Sequence, residues 1–367
     1  MVRGGAETMV MNYYRKINRD LVQFDFLVHR QERSDFDDEI EQLGGVIHRL
    51  PSISPKNYFN YKRALNAFFD EHPEYKIVHC HINGLGHWVL KASKQKGVPV
   101  RIAHAHNAYE PWFRKLFLKN ADVKATIKTT IQAMLRYGVR KNASHNFACG
   151  EKAGKWLFGP NMEEKPTIIH NAIDAELFRY DENAGKMVKK ELQIENCKVI
   201  GHIGSFTEAK NHIFSLNVFK EVHTLDENTR LVFVGDGPFR KKIEQQISRL
   251  GLDGKVLLLG VRDDIPRLVQ GFDLFLFPSL YEGLPVTLLE AQAGGLQIVL
   301  SENITREVAI TNLTTYLPLD LPVDQWGETV KNKLEYLRRD TYEEIVERNY
   351  DINQNAAELQ KFYLGHY

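Results

Sequence analysis

The sequence predicts an α/β protein of two Rossmann-like domains facing each other, and three observations carry that expectation. The chain has 367 residues, more than one ordinary compact core holds and close to two domains of usual size. Short runs rich in β-branched and aromatic residues alternate with longer amphipathic stretches, the pattern of parallel sheets built from βαβ units. Most of the strand-like runs end in Gly, His, Asn or Ser, where such sheets place their ligand-binding loops.

In the first half, strands are expected at 22–28, 46–50, 77–81, 100–104, 146–149 and 167–170, with helices such as 58–70 and 85–95 between them. In the second half the strands are 199–203, 231–234, 256–259, 274–277 and 298–300. They alternate with helices at 212–224, 239–250, 265–270 and 286–293. The polar stretch 171–184 reads as the hinge. Domain limits follow at 1–170 and 171–340, leaving a final helical segment, 341–367, to pack back onto the first domain.

Composition narrows the function classes. Apolar content of 43% and charged content of 26% are those of an ordinary globular chain. A formal net charge of +1 gives no global attraction to nucleic acid, so no nucleic-acid partner is expected. The three cysteines, Cys80, Cys149 and Cys197, are far apart and form no CxxC pair, which argues against a disulfide framework or a zinc site and for a cytoplasmic location. No run approaches the roughly 18 consecutive apolar residues that span a bilayer. Arg3 and Glu7 stand where a signal peptide would need its apolar core.

Residues 112–141 stand apart. Arg114, Lys115, Lys119, Lys124, Lys128, Arg136, Arg140 and Lys141 face one acid, Asp122, while Trp112, Phe113, Leu116 and Phe117 supply an apolar edge. A basic amphipathic helix with aromatics fits an anionic membrane surface; a solvated helix with a buried edge is the plainer alternative.

The strongest motif begins at the strand ending in Phe277 and runs through Pro278-Ser279-Leu280-Tyr281 into Glu282-Gly283-Leu284-Pro285. Pro285 suits a helix start, and Gly283 allows close approach of backbone to ligand. The free N–H groups of such a start can hold an anionic or polyhydroxyl group. Glu282 precedes the helix and Glu290 lies within it, too far apart for the carboxyl pair of a retaining glycosidase at about 5–5.5 Å. They suit hydroxyls at two ends of one elongated ligand.

These residues resemble the E-x7-E motif of the retaining GT-B glycosyltransferases of family 4 (group 1), close to their bacterial capsular and exopolysaccharide branch. The likeness covers nearly the whole chain. Arg3-Gly4-Gly5-Ala6-Glu7 is similar to the family's N-terminal glycine loop, His104-Ala105-His106-Asn107 to its histidine motif, and Asn171-Ala172-Ile173-Asp174 to its Asn-Gly-Ile-Asp. The stretch from Gly201 to His212, Val234-Gly235-Asp236-Gly237-Pro238 and Leu259–Ile265 follow in the family's order.

The resemblance implies a GT-B fold, with an acceptor-binding first domain and a second domain that binds a nucleotide sugar, expected to be a UDP-sugar. It implies that Glu282 holds the donor sugar, Glu290 the ribose, and the amides of Gly283, Leu284, Pro285 and Val286 cover sugar and diphosphate (Pro285 through its neighbours). Val261 and Arg262 would frame the base, and Lys210 would neutralise the diphosphate. Gly4 and Gly5 would admit the phosphates, and His106 would line the cleft near the reacting carbon. Glu282, His106 and Lys210 are thus the expected catalytic residues. No metal and no cofactor are expected, and Asp263-Asp264 reads better as a helix N-cap than as a metal pair. A lipid-linked saccharide at the inner face of the membrane is the implied acceptor.

Two departures from the family stand out. Ser205 follows Gly204 where the family has Arg, and serine cannot bind a diphosphate bidentately. The chain also starts almost at the glycine loop, where relatives have a preceding β-strand; the first strand is read as missing, and the chain as given is expected to be poorly stable. A non-catalytic GT-B subunit that stabilises a partner transferase is the alternative these departures favour. A nicotinamide-dependent oxidoreductase is disfavoured, because Gly235-Asp236-Gly237 lacks the rest of a dinucleotide fingerprint.

Overall fold

A computed structural model describes residues 1, 4–106, 123–160 and 165–367. Arg3, Asn107 and the Trp112–Asp122 part of the basic segment therefore lie outside the described residues. The chain folds into two compact units, Met1–Ala172 with Ile352–Tyr367, and Ile173–Asp351.

In the first unit, strands β1 (Phe26–Val28) and β2 (Ile47–Arg49) pair in parallel. A separate parallel sheet holds β3 (Ile77–Cys80), β4 (Val100–Ala105), β5 (His145–Ala148) and β6 (Thr167–Ile168) in that order. Side chains alternate across these strands, so the two faces have different partners. Ile102 and Phe147 pack with Met9, Tyr13 and Ile17 of the helix Gly5–Lys16 and with Ile352, Ala356, Leu359 and Tyr363 of the helix Ile352–Leu364. Ala103, Ala105 and Ala148 face Leu65, Phe69, Val89 and Leu90 of the helices Tyr58–Glu71 and Gly86–Gln95.

The second unit has one six-stranded parallel sheet. Its strands are β7 (Lys198–Ile203), β8 (Thr229–Val234), β9 (Val256–Leu258), β10 (Leu274–Phe277), β11 (Gln297–Ser301) and β12 (Thr314–Leu317), in the order β12-β11-β10-β7-β8-β9. This is the doubly wound nucleotide-binding order, with its topological switch point between β7 and β10. Strand β10 is apolar throughout because both faces are covered. Phe275 and Phe277 enter the core with Leu288 and Leu289, while Leu274 and Leu276 enter the core with Phe219 and Trp326. Each fully buried side chain of this size contributes about 1.5–3 kcal/mol relative to exposure, so the centre of the sheet is the best anchored part of the unit.

The single helical segment expected over 341–367 is two helices. Tyr342–Glu347 belongs to the second unit, and Ile352–Leu364 to the first. Asn349 between them takes a left-handed backbone (φ 62) and Asp351 bridges to Ile173, which ends one helix before the next begins. Strand β12 and the helix Val323–Lys333 were not anticipated. No helix among the described residues is long and apolar enough to cross a membrane.

Candidate functional site

The carboxyl ends of β7 and β10 flank the switch point, and the loops leaving them are tied together. The loop after β7 runs from Gly204 to Asn211, where a left-handed backbone (φ 54) starts the helix His212–Leu225. Asn211 donates its side-chain amide to the Pro278 carbonyl at 3.1 Å, and the Leu280 N–H donates to the Ala209 carbonyl at 2.8 Å. These two bonds bring Lys210 beside Glu282, although the sequence separates them widely.

The Lys210 ammonium lies 2.7 Å from Glu282 Oε1, with both side chains 15% exposed. It also sits 4.7 Å from the centroid of the Phe277 ring, a cation–π contact that steadies it. The approach to Glu282 Oε1 falls outside hydrogen-bond geometry, leaving that oxygen without a hydrogen-bonded protein partner, as are the nearby Ser279 Oγ and Thr287 Oγ1. Buried polar atoms left this way mark a place where a ligand can supply the missing bonds.

Glycines explain how the backbone can converge here. Gly235 has φ +136, and a Cβ there would stand 2.1 Å from the Gly204 carbonyl oxygen. The loop after β8 therefore presses directly against the loop after β7. Gly204 N–H donates to Val234, Phe206 N–H to Asp236, and Gly235 N–H to Gly260, linking the loops after β7, β8 and β9. Gly235-Asp236-Gly237 is thus a packing device for the loop that carries Lys210.

Downstream of β10, Pro285 is the residue before the helix Val286–Ala293, with an extended backbone. Gly283 is exposed, while Leu284 and Val286 are half-buried and pack on the core. Glu290 lies on that helix, and burial pushes its carboxyl up to about 7. Ser205 is exposed at the head of its loop.

Arg262 makes two 2.7 Å bonds to the Asp264 carboxylate, and Val261 beside it is 68% exposed. Asp264 stands at the N-cap position of the helix Ile265–Gln270 but makes no side-chain cap bond. Its carboxylate is taken by Arg262 and Arg267 instead, which hold it down to about 2. The expected N-cap role of the Asp263-Asp264 pair is replaced, for Asp264, by this arginine clamp.

In the first unit, Gly4 precedes the helix Gly5–Lys16 with an extended backbone. His106 follows β4, where its Nε2 meets His81 Nδ1 at 2.8 Å and its N–H donates to Asn83 Oδ1 at 3.2 Å. Its Nδ1 is buried without a protein partner, and burial holds the ring down to about 4, keeping it neutral. His81 and Asn83 were not anticipated as its supports.

The basic segment is only partly a free surface. Arg136 stacks 5.0 Å from the Trp156 ring centroid, and Arg140 donates to the Phe158 carbonyl at 2.9 Å. These two cations fasten the helix Val123–Asn142 to its neighbour. The same helix exposes Ile131, Met134 and Tyr137.

A doubly wound sheet with a lysine, a carboxylate and a glycine-packed loop at its switch point, in a chain that also folds a second α/β unit, is the GT-B architecture of glycosyltransferases. Residues 3–177 match the Glycosyltransferase Family 4 family and residues 185–317 match Glycosyl transferases group 1. The chain is 37% identical to EpsF of Bacillus subtilis, named as a glycosyltransferase, over 99% of this chain and 94% of that protein. It is 26% identical to the capsular polysaccharide biosynthesis glycosyltransferase CapH of Staphylococcus aureus, over 100% of this chain and 96% of that one. A UDP-Gal:alpha-D-GlcNAc-diphosphoundecaprenol alpha-1,3-galactosyltransferase of Escherichia coli is 30% identical over 62% of this chain and 58% of its own length. The crystal structure of Anabaena HepE with UDP superposes with a TM-score of 0.71 at 19% identity, covering 97% of this chain and 91% of that one. This chain belongs to the family 4, group 1 glycosyltransferases.

Proposed function

We propose that the protein transfers a sugar, with retention, from a UDP-sugar to a lipid-linked saccharide at the inner face of the cell membrane, in exopolysaccharide or capsule assembly. The observation that carries this reading is the Lys210–Glu282 pair at the switch point, 2.7 Å apart, with Glu282 Oε1 lacking a hydrogen-bonded partner. A nucleotide sugar presents a dianionic diphosphate beside sugar hydroxyls. Lys210 meets the first need and Glu282 the second, so donor binding exchanges their mutual contact for contacts to the ligand.

Leaving-group departure needs positive charge and N–H donors more than a nucleophile. Lys210 and the amides around Gly283 and Val286 serve that need, and Leu284 and Pro285 shape the loop that presents them. Glu290 receives the ribose hydroxyls, and Val261 and Arg262 border the base. For the first unit, the family resemblance assigns Gly4 and Gly5 to the phosphates and neutral His106, whose Nδ1 has no protein partner, to the reacting carbon. With a retaining front-face path, a phosphate oxygen of the leaving diphosphate takes the acceptor proton. Ser205 supplies no second cation, so the phosphate grip rests mainly on Lys210.

The lipid-linked acceptor and UDP are supported by the names of the Escherichia coli and Anabaena proteins, and polysaccharide assembly by that of the Staphylococcus aureus relative. Exposed Ile131, Met134 and Tyr137 beside Lys141 suit a membrane surface. Thermal shifts with UDP, GDP and NAD test the donor class: UDP is expected to stabilise most, and stabilisation by NAD alone contradicts the reading. Transfer onto membrane lipid extracts then tests the reaction, which Glu282→Ala is expected to abolish.

A further inference from the structure

Four histidines share one face of the first unit's sheet. His79 and His81 are two apart along β3 and its end; His104 and His106 are two apart along β4 and its end, so each pair points the same way. The parallel register sets His79 opposite Ile102 and Cys80 opposite Ala103, which brings His81 level with His104. The ring centroids of His79, His81 and His104 lie 4.2, 5.1 and 5.1 Å apart pairwise. One ring nitrogen from each lies within 4.8 Å of the other two.

Hydrogen bonds tie the rings to one another and to Tyr363. His79 Nδ1 is held by the Tyr363 hydroxyl at 2.6 Å, and its Nε2 is hydrogen-bonded to His104 Nδ1 at 3.0 Å, a ring-to-ring bond that a bound ion would replace. His81 Nδ1 is held by His106 at 2.8 Å, which leaves Nε2. His104 Nε2 is buried without a protein partner.

We propose that His79, His81 and His104 bind a zinc-class divalent ion, with the fourth position left to water. Tetrahedral sites with metal–nitrogen distances of about 2.0–2.1 Å place their ligand atoms roughly 3.3 Å apart, so three nitrogens that lie within 4.8 Å of one another must draw inward around the ion. A ligand set of imidazoles alone excludes magnesium and calcium, which take oxygen, and suits zinc, nickel or copper. Cys80 contributes no thiolate, because it belongs to the opposite face, where its Sγ lies against Gly86. The Tyr363 hydroxyl on His79 is the kind of outer contact that fixes a ligating ring. Such an ion pins β3 to β4 and, through His81, fixes the ring of His106. It lies in the first unit, whereas the residue assigned to the diphosphate, Lys210, belongs to the second.

The test uses the full chain without a histidine tag, stripped with chelator and then equilibrated with Zn²⁺ or Co²⁺ alone. The expected results are one tightly held Zn²⁺ per chain, a melting temperature several degrees higher with Zn²⁺, and visible absorption bands of four-coordinate Co²⁺. His79→Gln and His81→Gln are expected to lose the ion, whereas His106→Ala and Tyr363→Phe, which each remove an outer contact from a ligating ring, are expected to weaken it about 10- to 100-fold. An unaltered chain that retains no Zn²⁺ and shows no four-coordinate Co²⁺ spectrum overturns the proposal, whether or not the variants fold. So does equal metal content in the unaltered chain, His79→Gln and His81→Gln.

Discussion

The two units use the same building plan to different degrees. In the second, six strands make one sheet, and the four residues of β10 are each 0% exposed. In the first, two strands and four strands form separate sheets, and Ile77, Val78 and His79 of β3 stay partly exposed. The second unit can therefore hold backbone loops against one another at its switch point. The first unit places polar chemistry, in the form of four imidazoles, on the sheet itself. A tightly closed sheet supports a site in its loops, whereas a more open one carries its distinctive chemistry on its strands.

Two glycines measure that contrast. Gly97 in the first unit and Gly235 in the second both have positive φ, at +81 and +136. A Cβ at Gly97 meets nothing within 4 Å, whereas one at Gly235 stands 2.1 Å from the Gly204 carbonyl. Gly97→Ala is expected to cost about 1–2 kcal/mol, from backbone strain alone. Gly235→Ala is expected to cost more, about 3 kcal/mol or above, and to weaken UDP binding by displacing the loop of Lys210. Urea melts of both variants check this, and equal destabilisation contradicts the packing role given to Gly235.

A smaller effect tests burial on the helix Val286–Ala293. The Glu290 carboxyl is raised to about 7 by burial, above its unfolded value of about 4.3. A raised folded value favours the folded state most below the unfolded value, and that contribution is lost as pH rises through 7. Glu290→Gln removes the loss, so its stability advantage over the unaltered chain is expected to grow from pH 5 to pH 8, by about 1–3 kcal/mol. A constant difference across that range contradicts the raised carboxyl.

Much of the motif at the second unit's switch point was legible because it rests on local constraints. A glycine-proline helix start with acids on either side, at the end of an apolar strand, has few structural meanings. The long-range contacts were not legible. Nothing local to Asn211 announces its bond to Pro278, and nothing local to His81 announces its bond to His106. Arg136 and Arg140 read as a free basic face because their partners, Trp156 and Phe158, belong to the next helix. The break between Tyr342–Glu347 and Ile352–Leu364 was hidden for a related reason: Asn349 tolerates helical and left-handed backbone alike, and the bridge from Asp351 to Ile173 decides between them.

The central claim is a division of labour at the switch point, with Lys210 holding the diphosphate and Glu282 the sugar. Calorimetric Kd values for UDP test it without an acceptor, using the unaltered chain, Lys210→Ala and Glu282→Ala. Losing a charged hydrogen bond costs about 1.5–3 kcal/mol, so Lys210→Ala is expected to weaken UDP binding roughly 10- to 100-fold. Glu282→Ala is expected to leave UDP binding intact or to strengthen it, because it releases Lys210 from the pair. Equal loss in both variants, or no loss in Lys210→Ala, would contradict the account.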